Sequence, residues 1–302
     1  FLYFAGDFWD GMLGLSIFVW LIVGALRIGM AAECDSRTAL AQAMALGAAM
    51  GILALTNSTY VLTFPVLLAV AFWSRIRSKR WGMIGMTVAT CALVLAPWMI
   101  RNANAFNRAP FIRSGGGLLL WLGNGPGSDG WFSMGVLRLN HPYFNPRERT
   151  ALLELGEPAY NDLCVDRFFR LLEQDVRGFW IRCLRRIGYL LVGDPTKPAP
   201  FMVNYPWHGI FIDHLLLNVT FSALGVTGLV AVRRLGYRWA GLAGLMICTA
   251  LPYIPTAVTH RYALPLRALL VLSAASLLWM GNVRVRTGQW PAPLPKNSLH
   301  RS

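Results

Sequence analysis

Six stretches of this chain carry no Asp, Glu, Lys or Arg, and they constrain the fold more than any other feature of the sequence. They are residues 11–26, 38–74, 81–100, 214–232, 239–260 and 268–283. A helix that crosses a bilayer needs about 20 mostly apolar residues, and roughly 17 is the lower limit. The second stretch is long enough for two such helices and has a polar break at residues 57–59. The pattern therefore predicts seven membrane spans.

The predicted spans are helical, because a helix satisfies its own backbone hydrogen bonds in hydrocarbon. They cover residues 11–28, 39–56, 59–74, 82–100, 210–231, 239–256 and 264–281. Charged residues make up 14% of the chain, against about 25% in soluble domains. This composition argues against a soluble enzyme and excludes a disordered chain. We expect an all-α integral membrane protein with about seven transmembrane helices.

The charged residues outside these stretches indicate the orientation of the chain. With seven alternating spans, one side of the membrane holds 13 basic and 2 acidic residues, whereas residues 101–197 on the other side hold 13 basic and 9 acidic ones. Basic residues concentrate in cytoplasmic loops. This bias accounts for the net charge of +14 without a nucleic-acid partner. We expect residues 284–302 to form a cytoplasmic tail.

The same topology divides the chain into membrane and outer parts. Residues 1–100 hold spans one to four, and residues 210–283 hold spans five to seven. Between them, residues 101–209 form one large extracytoplasmic segment. Part of it, about residues 148–192, shows apolar residues such as Cys183 and Ile187 at helical spacing, with arginines such as Arg182 and Arg186 between them. This pattern is typical of an interfacial helix. We interpret it as a packing helix whose arginine face can also attract lipid phosphates.

Glycines are dense in the first part of this segment, residues 101–135. One run is Gly115-Gly116-Gly117, and a second surrounds Asn124. Glycine allows positive φ and close backbone approach. Two readings remain open: a mobile surface loop, or a loop that folds over a site at the membrane surface. Farther along, Cys164 and Cys183 could pair, but two unpaired cysteines on apolar helix faces are the favoured interpretation.

Polar residues at three places on the outer boundary are candidates for chemistry. Arg101 and Asn102 follow Pro97-Trp98 at the exit of span four, and His260-Arg261-Tyr262 lie between spans six and seven. Arginine offers five fixed N–H donors that suit a phosphate. Either arginine could instead be an interfacial anchor. Asp7 and Asp10 precede span one, where they could orient a substrate or simply cap a helix.

Together these motifs resemble the C-terminal two-thirds of a GT-C superfamily membrane glycosyltransferase. The likeness covers about residues 5–283 and is closest to bacterial protein-O-mannosyltransferase-like and aminoarabinose-transferase-like enzymes. Three parts of the chain carry it. The first is the helical hairpin around residues 57–59. The second is the Pro-Trp-x-x-Arg-Asn motif at residues 97–102, followed by a glycine pair and by Gly123-Asn124, and the third is the Arg-Tyr-x-x-Pro motif at residues 261–265.

The resemblance implies transfer of a sugar from a polyprenyl-phosphate donor to a lipid, glycan or protein on the outer face of a bacterial inner membrane. Membrane lipids are the other expected partners, with no cofactor and no metal. The implied donor phosphate site comprises Arg261, Tyr262, His260 and Arg101. The implied substrate loop comprises Asn102, Gly115, Gly116 and Asn124.

One departure concerns the catalytic base, because enzymes of this family carry an Asp in their first outward loop and nothing here matches that loop. We expect the base to lie upstream of Phe1 and residues 1–302 alone to be inactive, with Asp7 and Asp10 as secondary candidates. A transporter or flippase is an alternative, although the charge-free spans argue against it. A polymerase or ligase of lipid-linked glycans is a further alternative that the sequence does not separate.

Overall fold

The computed structural model describes residues 2–30, 35–73, 77–107, 112–193, 219–231, 237–258 and 260–287. These residues are helical apart from short loops and one isolated parallel bridge between Trp131 and Val258. Two short 3-10 helices cover Ser58–Thr63 and Leu251–Tyr253. The α-helices are α1 Leu2–Met30, α2 Ser36–Thr56, α3 Phe64–Phe72, α4 Arg77–Phe106, α5 Gly116–Asn124, α6 Met134–Asn140, α7 Pro146–Gln174, α8 Val176–Leu191, α9 Thr220–Ala231, α10 Tyr237–Ala250 and α11 His260–Thr287.

Four stretches of helix are long and apolar enough to cross a membrane. They are Leu13–Met30, Ser36–Thr56, Arg80–Phe106 and Tyr262–Arg286. Three further apolar helical stretches are shorter: Ser58–Phe72, Thr220–Ala231 and Ala240–Tyr253. The all-α fold is confirmed, and four such helices indicate a membrane protein. The count of seven spans stays a prediction, and part of the span expected at residues 210–231 lies outside the described residues.

Small residues let the long helices approach closely. Gly47 of α2 faces the backbone of Thr87 in α4, and Thr87 donates its hydroxyl to the carbonyl of Ala43 over 3.1 Å. Gly225 and Gly228 of α9 lie against Leu270 and Ser273 of α11 in the same way. Small residues drive helix association in membranes because backbones can then pack directly. These two helix pairs are therefore closely packed along their backbones.

The predicted polar break at residues 57–59 is a real turn. α2 ends at Thr56, and the Asn57 side chain accepts hydrogen bonds from the backbone N–H of Thr59 at 3.1 Å and from its hydroxyl at 2.8 Å. Asparagine favours such turns because its side chain replaces a backbone acceptor. Tyr60 then packs its ring on Phe18 of α1, with 4.9 Å between centroids. The turn is thus held from within and from α1.

The region between α4 and α9 is described over residues 112–193, here called the central segment. The helices predicted at about 148–192 are confirmed as α7 and α8, which meet at Asp175. The loop predicted over residues 101–135 is wrong in part, because α4 continues to Phe106 and α5 forms within it. The apolar run after Gly117 packs on α7, where the Asn161 side chain accepts from the Gly117 N–H at 2.8 Å. Packing thus outweighs the low helix propensity of glycine.

One further prediction concerns the two cysteines of the central segment. Cys164 and Cys183 are both buried and free, so the favoured interpretation of two unpaired cysteines is confirmed. Burial raises the pKa of the Cys164 thiol to about 11 and also raises the pKa of Cys183. Thiols with raised pKa values are poor nucleophiles near neutral pH, so both cysteines are structural.

Candidate functional site

A cluster of polar and aromatic side chains joins the turn after α2 to the loop before α11. The Tyr253 hydroxyl lies 2.9 Å from the Thr59 hydroxyl and accepts from the Asn57 side-chain amide at 3.5 Å. The Tyr253 ring stacks on Tyr262, with 4.5 Å between centroids and 11° between planes. These four residues are called the tyrosine cluster. The cluster fixes Tyr262, one of the predicted phosphate-site residues, next to the turn.

The same turn borders a groove of about 390 Å³, the Trp98 groove. Its polar lining is Thr56, Ser58 and Arg113, and its apolar lining is Ile52, Ala54, Leu55 and Ile112 together with Trp98. The indole N–H of Trp98 donates to the carbonyl of Ile112 at 2.8 Å. An apolar groove with an arginine in its wall suits an amphiphile that has an anionic head.

Arg101 lies beside this groove. Its guanidinium carbon is 4.9 Å from the centre of the Trp98 ring, and its Nη1 donates to the Asn102 side-chain oxygen at 3.0 Å. Asn102 is buried, whereas Arg101 is exposed. A guanidinium over an indole gains a cation–π contact that orients it. The structure therefore places Arg101 against Trp98 in the wall of the groove, and Tyr262 in the tyrosine cluster. The turn after α2 contributes Ser58 to the groove and Asn57 and Thr59 to the cluster.

Residues 253–258, here called the clamped segment, are held along their length by the central segment. The carbonyl of Ile254 accepts from Arg186 Nη1 at 2.8 Å, and the carbonyl of Pro255 accepts from the Asn124 side-chain amide at 2.8 Å. The carbonyl of Val258 accepts from the Phe132 N–H at 3.1 Å. His260, Arg261 and Tyr262 lie two to four residues farther along the chain, so the central segment holds the backbone shortly before them.

Arg186 is the centre of this clamp, and its side chain is fully buried. Its Nη2 donates to the carbonyl of Gly123 and to the Asn124 side-chain oxygen, the latter at 2.9 Å. Its Nε donates to the carbonyl of Gly130 at 3.4 Å. Burial lowers the pKa of Arg186 to about 10, so the guanidinium stays charged at neutral pH. Arg186 thus joins α8 to residues 123–130, here called the glycine-rich loop, and to the clamped segment.

The predicted basic face of α8 needs a correction at this residue. We expected Ile187 on the apolar face and Arg186 among the lipid-facing arginines. Instead Cys183, Arg186 and Leu190 are buried and Ile187 is exposed. The buried face therefore keeps Cys183 but takes Arg186 in place of Ile187, and the Arg186 guanidinium satisfies the carbonyls of Gly123, Gly130 and Ile254. Arg182, also on the predicted face, pairs with Asp175 at 3.2 Å.

Only one of the four predicted substrate-loop residues, Asn124, contacts the clamped segment. Asn124 is buried and bonds to Pro255. Gly115 has φ of 108° and begins α5, and Gly116 is exposed beside it. The nine residues of α5 separate them from Asn124 by about 12 Å at 1.5 Å per residue. Asn102 lies with Arg101 instead.

Four predicted site residues can be placed by backbone alone. Asp7 and Asp10 lie in α1, and His260 and Arg261 form the start of α11. Their side chains lie outside the described part of the structure. No match to this chain is found in a scan against protein-family models or in searches of curated proteins and solved structures.

Proposed function

We propose that this protein is a membrane glycosyltransferase of the GT-C type, which takes a sugar from a polyprenyl-phosphate donor. The observation that carries the proposal is the clamped segment. Its contacts with Arg186 and Asn124 hold the backbone that runs into Arg261 and Tyr262. The rate of such a transfer depends on donors fixed before the reaction begins.

In the proposed reaction, these donors stabilise the leaving group. An acceptor hydroxyl gives its proton to a carboxylate, and its oxygen forms a bond to the anomeric carbon of the sugar. The bond from that carbon to the phosphate oxygen breaks, and the phosphate leaves with the electron pair. Arg261 and Tyr262 would neutralise the charge that develops on the phosphate. Within this chain, Asp7 and Asp10 are the first carboxylates to test as the base.

The Trp98 groove supports a lipid-linked substrate. Four of its lining residues are apolar aliphatic side chains, Arg113 is part of the lining, and Arg101 lies over the Trp98 ring. In the proposed topology the groove opens at the outer boundary of the membrane, where the turn at residues 57–59 ends span two. A polyprenyl chain would lie along the apolar lining, with its phosphate toward the arginines and the tyrosine cluster.

The test compares two substitutions at Arg261 in the full-length protein, together with whatever sequence precedes Phe1. Turnover per folded molecule is measured with a set of polyprenyl-phosphate sugars and with membrane extract as the acceptor source. Binding of a C55 polyprenyl phosphate is measured in parallel against the uncharged polyprenol. Arg261→Ala should cost about 2–4 kcal/mol in transition-state stabilisation, by analogy with the loss of an oxyanion donor. Arg261→Lys should not restore it, because lysine lacks the planar fork.

The two outcomes separate a phosphate ligand from a surface anchor. If Arg261 is a surface anchor, Arg261→Lys should leave turnover almost unchanged. Arg261→Ala should then lower the yield of folded protein more than it lowers turnover. Equal binding of polyprenyl phosphate and polyprenol by the unaltered protein would contradict the proposed donor. Near-native turnover in Arg261→Ala would remove Arg261 from the site and leave Arg101 as the better phosphate ligand.

A further inference from the structure

Helix α8 exposes a second apolar face besides the one that packs against the protein. Cys183 and Leu190 lie on the buried face. Trp180, Leu184 and Ile187 follow one another at spacings of four and three residues, so they share one side of the helix, and all three are exposed. The exposed fraction reaches 61% for Trp180 and 67% for Leu184. A continuous apolar surface of this kind marks contact with a partner or with a membrane.

The C-terminal end of α8 lies where two apolar helices begin. The hydroxyl of Ser222, the third residue of α9, donates to the carbonyl of Leu191 at 2.5 Å. α8 also contacts α11, and Arg186 binds the carbonyl of Ile254 six residues before α11 starts. The apolar stretch Tyr262–Arg286 begins within the first turn of α11. α8 is therefore located at one boundary of the apolar layer, which is the outer boundary in the proposed topology.

The charges of α8 favour lipid over a second copy of this chain as the partner of the exposed face. The helix carries four arginines and no carboxylate. Arg182 pairs with Asp175 and Arg186 is buried in the clamp, whereas Arg177 and Arg185 are exposed. Two copies joined through this face would bring like charges together, because a two-fold contact places the same patch on both sides. Anionic phospholipids supply the opposite charge, and each basic residue near such a surface strengthens the attraction.

We propose that the exposed face of α8 lies in the membrane interface and binds anionic phospholipid. Leu184 and Ile187 contact the upper acyl chains, and the Trp180 ring lies at the headgroup level, where tryptophan is enriched. Arg177 and Arg185 pair with lipid phosphates, because the arginine stem reaches from an apolar surface to charged headgroups. A basic amphipathic helix binds membranes in this way. This placement explains why the apolar Ile187 is left outside the protein core, and it holds whatever reaction the protein catalyses.

Fluorescence quenching measures the depth of this face in the full-length protein, reconstituted into vesicles of phosphatidylcholine and phosphatidylglycerol in equal parts. An NBD fluorophore is attached at Leu184→Cys in a Cys34→Ser/Cys248→Ser background, because the remaining cysteines of this chain are buried. Thr150→Cys, at an exposed position of α7, is the control for water. Leu93→Cys, at an exposed position in the middle of the apolar stretch of α4, is the control for the bilayer centre.

A spin label at the fifth carbon of the acyl chain should quench the fluorophore at position 184 more strongly than one at the twelfth carbon, and this order should reverse at position 93. Iodide in the water should quench the fluorophore at position 150 but not the one at position 184. Equal quenching by iodide at both positions would show that the face is solvated and would overturn the proposal. Protection of position 184 from every quencher would mean that protein covers the face, and would overturn it as well.

A second measurement tests the part played by charge. Quenching at position 184 by spin-labelled phosphatidylglycerol is compared with quenching by spin-labelled phosphatidylcholine. We expect the unaltered protein to prefer phosphatidylglycerol. The double variant Arg177→Gln/Arg185→Gln should lower this preference by about fivefold for each arginine, the effect of one basic residue near an anionic surface.

The matched control for this measurement is the double variant Arg138→Gln/Arg147→Gln, which removes the same charge from exposed positions of α6 and α7. This control should leave the lipid preference at position 184 unchanged. A preference that both double variants lower equally would mean that net charge, and not α8, attracts the lipid. That result, or no preference for phosphatidylglycerol in the unaltered protein, would overturn anionic phospholipid as the partner of this face.

Discussion

Arg186 donates to the side-chain oxygen of Asn124 at 2.9 Å, while the amide of Asn124 donates to the carbonyl of Pro255 at 2.8 Å. Both the oxygen and the nitrogen of the Asn124 side-chain amide therefore have hydrogen-bond partners. Its orientation is fixed, because the oxygen must face the guanidinium. One continuous path of hydrogen bonds runs from α8 through the end of α5 to the clamped segment.

Arg186→Gln should destabilise the central segment by about 3 kcal/mol, because the carbonyls of Gly123, Gly130 and Ile254 lose a charged donor while they stay buried. Arg185→Gln is the matched control, since Arg185 is the exposed neighbour on the same helix. Thermal unfolding in detergent, followed by tryptophan fluorescence, measures both. Equal unfolding temperatures for the two variants would contradict the role assigned to Arg186.

Gly123→Ala should disrupt the contact between α5 and the clamped segment. A Cβ at Gly123 would collide with the carbonyl of Thr256, and the backbone cannot yield without moving both elements. Overpacking of this kind costs about 1–3 kcal/mol. Gly116→Ala, at the other end of α5, meets open space and should stay within about 0.5 kcal/mol of the original protein. A Gly123→Ala protein as stable as Gly116→Ala would show that the contact is loose.

The proposed orientation predicts opposite labelling of two introduced cysteines. Thr150→Cys, on exposed α7, should react with a membrane-impermeant maleimide added outside intact cells. Arg284→Cys, near the end of α11, should react only after the cells are made permeable. Cys34→Ser provides the background, because the native Cys164 and Cys183 are buried. Labelling of position 150 from the cytoplasmic side alone would reverse the topology.

The loop between α6 and α7 should lose stability as pH falls below about 6.5. Burial lowers the pKa of His141 from 6.5, and its Nδ1 accepts from the Tyr143 N–H at 3.0 Å. The unfolded chain therefore binds this proton more readily than the folded one, so stability rises with pH through this window and falls in acid.

His141→Asn tests the pH dependence directly. Asparagine can still accept a hydrogen bond from the N–H two residues on, but it does not titrate. The variant should retain the loop structure at neutral pH. Between pH 7 and pH 5, its unfolding temperature should fall less than that of the original protein. The measurement is the unfolding temperature at each pH. An equal fall in unfolding temperature for both proteins would mean that groups other than His141 cause the loss of stability in acid.

The four long apolar helices were predictable because hydrocarbon imposes a simple rule on segments that cross it. The absence of charge over 20 residues indicates a helix wherever it occurs, and the turn at Asn57 appears as a polar break in such a stretch. The helical period also predicted α7 and α8. These signals are local, so neighbouring structure has little influence on them.

The clamp was not predictable because it depends on partners far away in sequence. Arg186 lies among several arginines of α8, and only its contacts with Gly123 and Ile254 distinguish it. Its neighbour Ile187 fits an apolar face equally well by spacing. The Trp98 groove likewise needs α2 and α4 together with Arg113, and no single stretch contains it. The glycine-rich loop gave one usable signal, since Gly123-Asn124 predicted close backbone approach without indicating what approaches.

The bond from Arg186 to Ile254 spans 68 residues, and this sets an order of events during synthesis. At about 5–20 residues per second, a ribosome needs roughly 3–14 s to make the intervening chain. Throughout that time α8 exists without the carbonyl that its guanidinium will bind. Until residue 254 is synthesised, the Arg186 guanidinium must stay hydrated or pair with a lipid headgroup. Formation of the clamp is therefore timed by the synthesis of residues 254–258, and a truncation before residue 254 would leave Arg186 without the carbonyl of Ile254 and α9 without its packing partner α11.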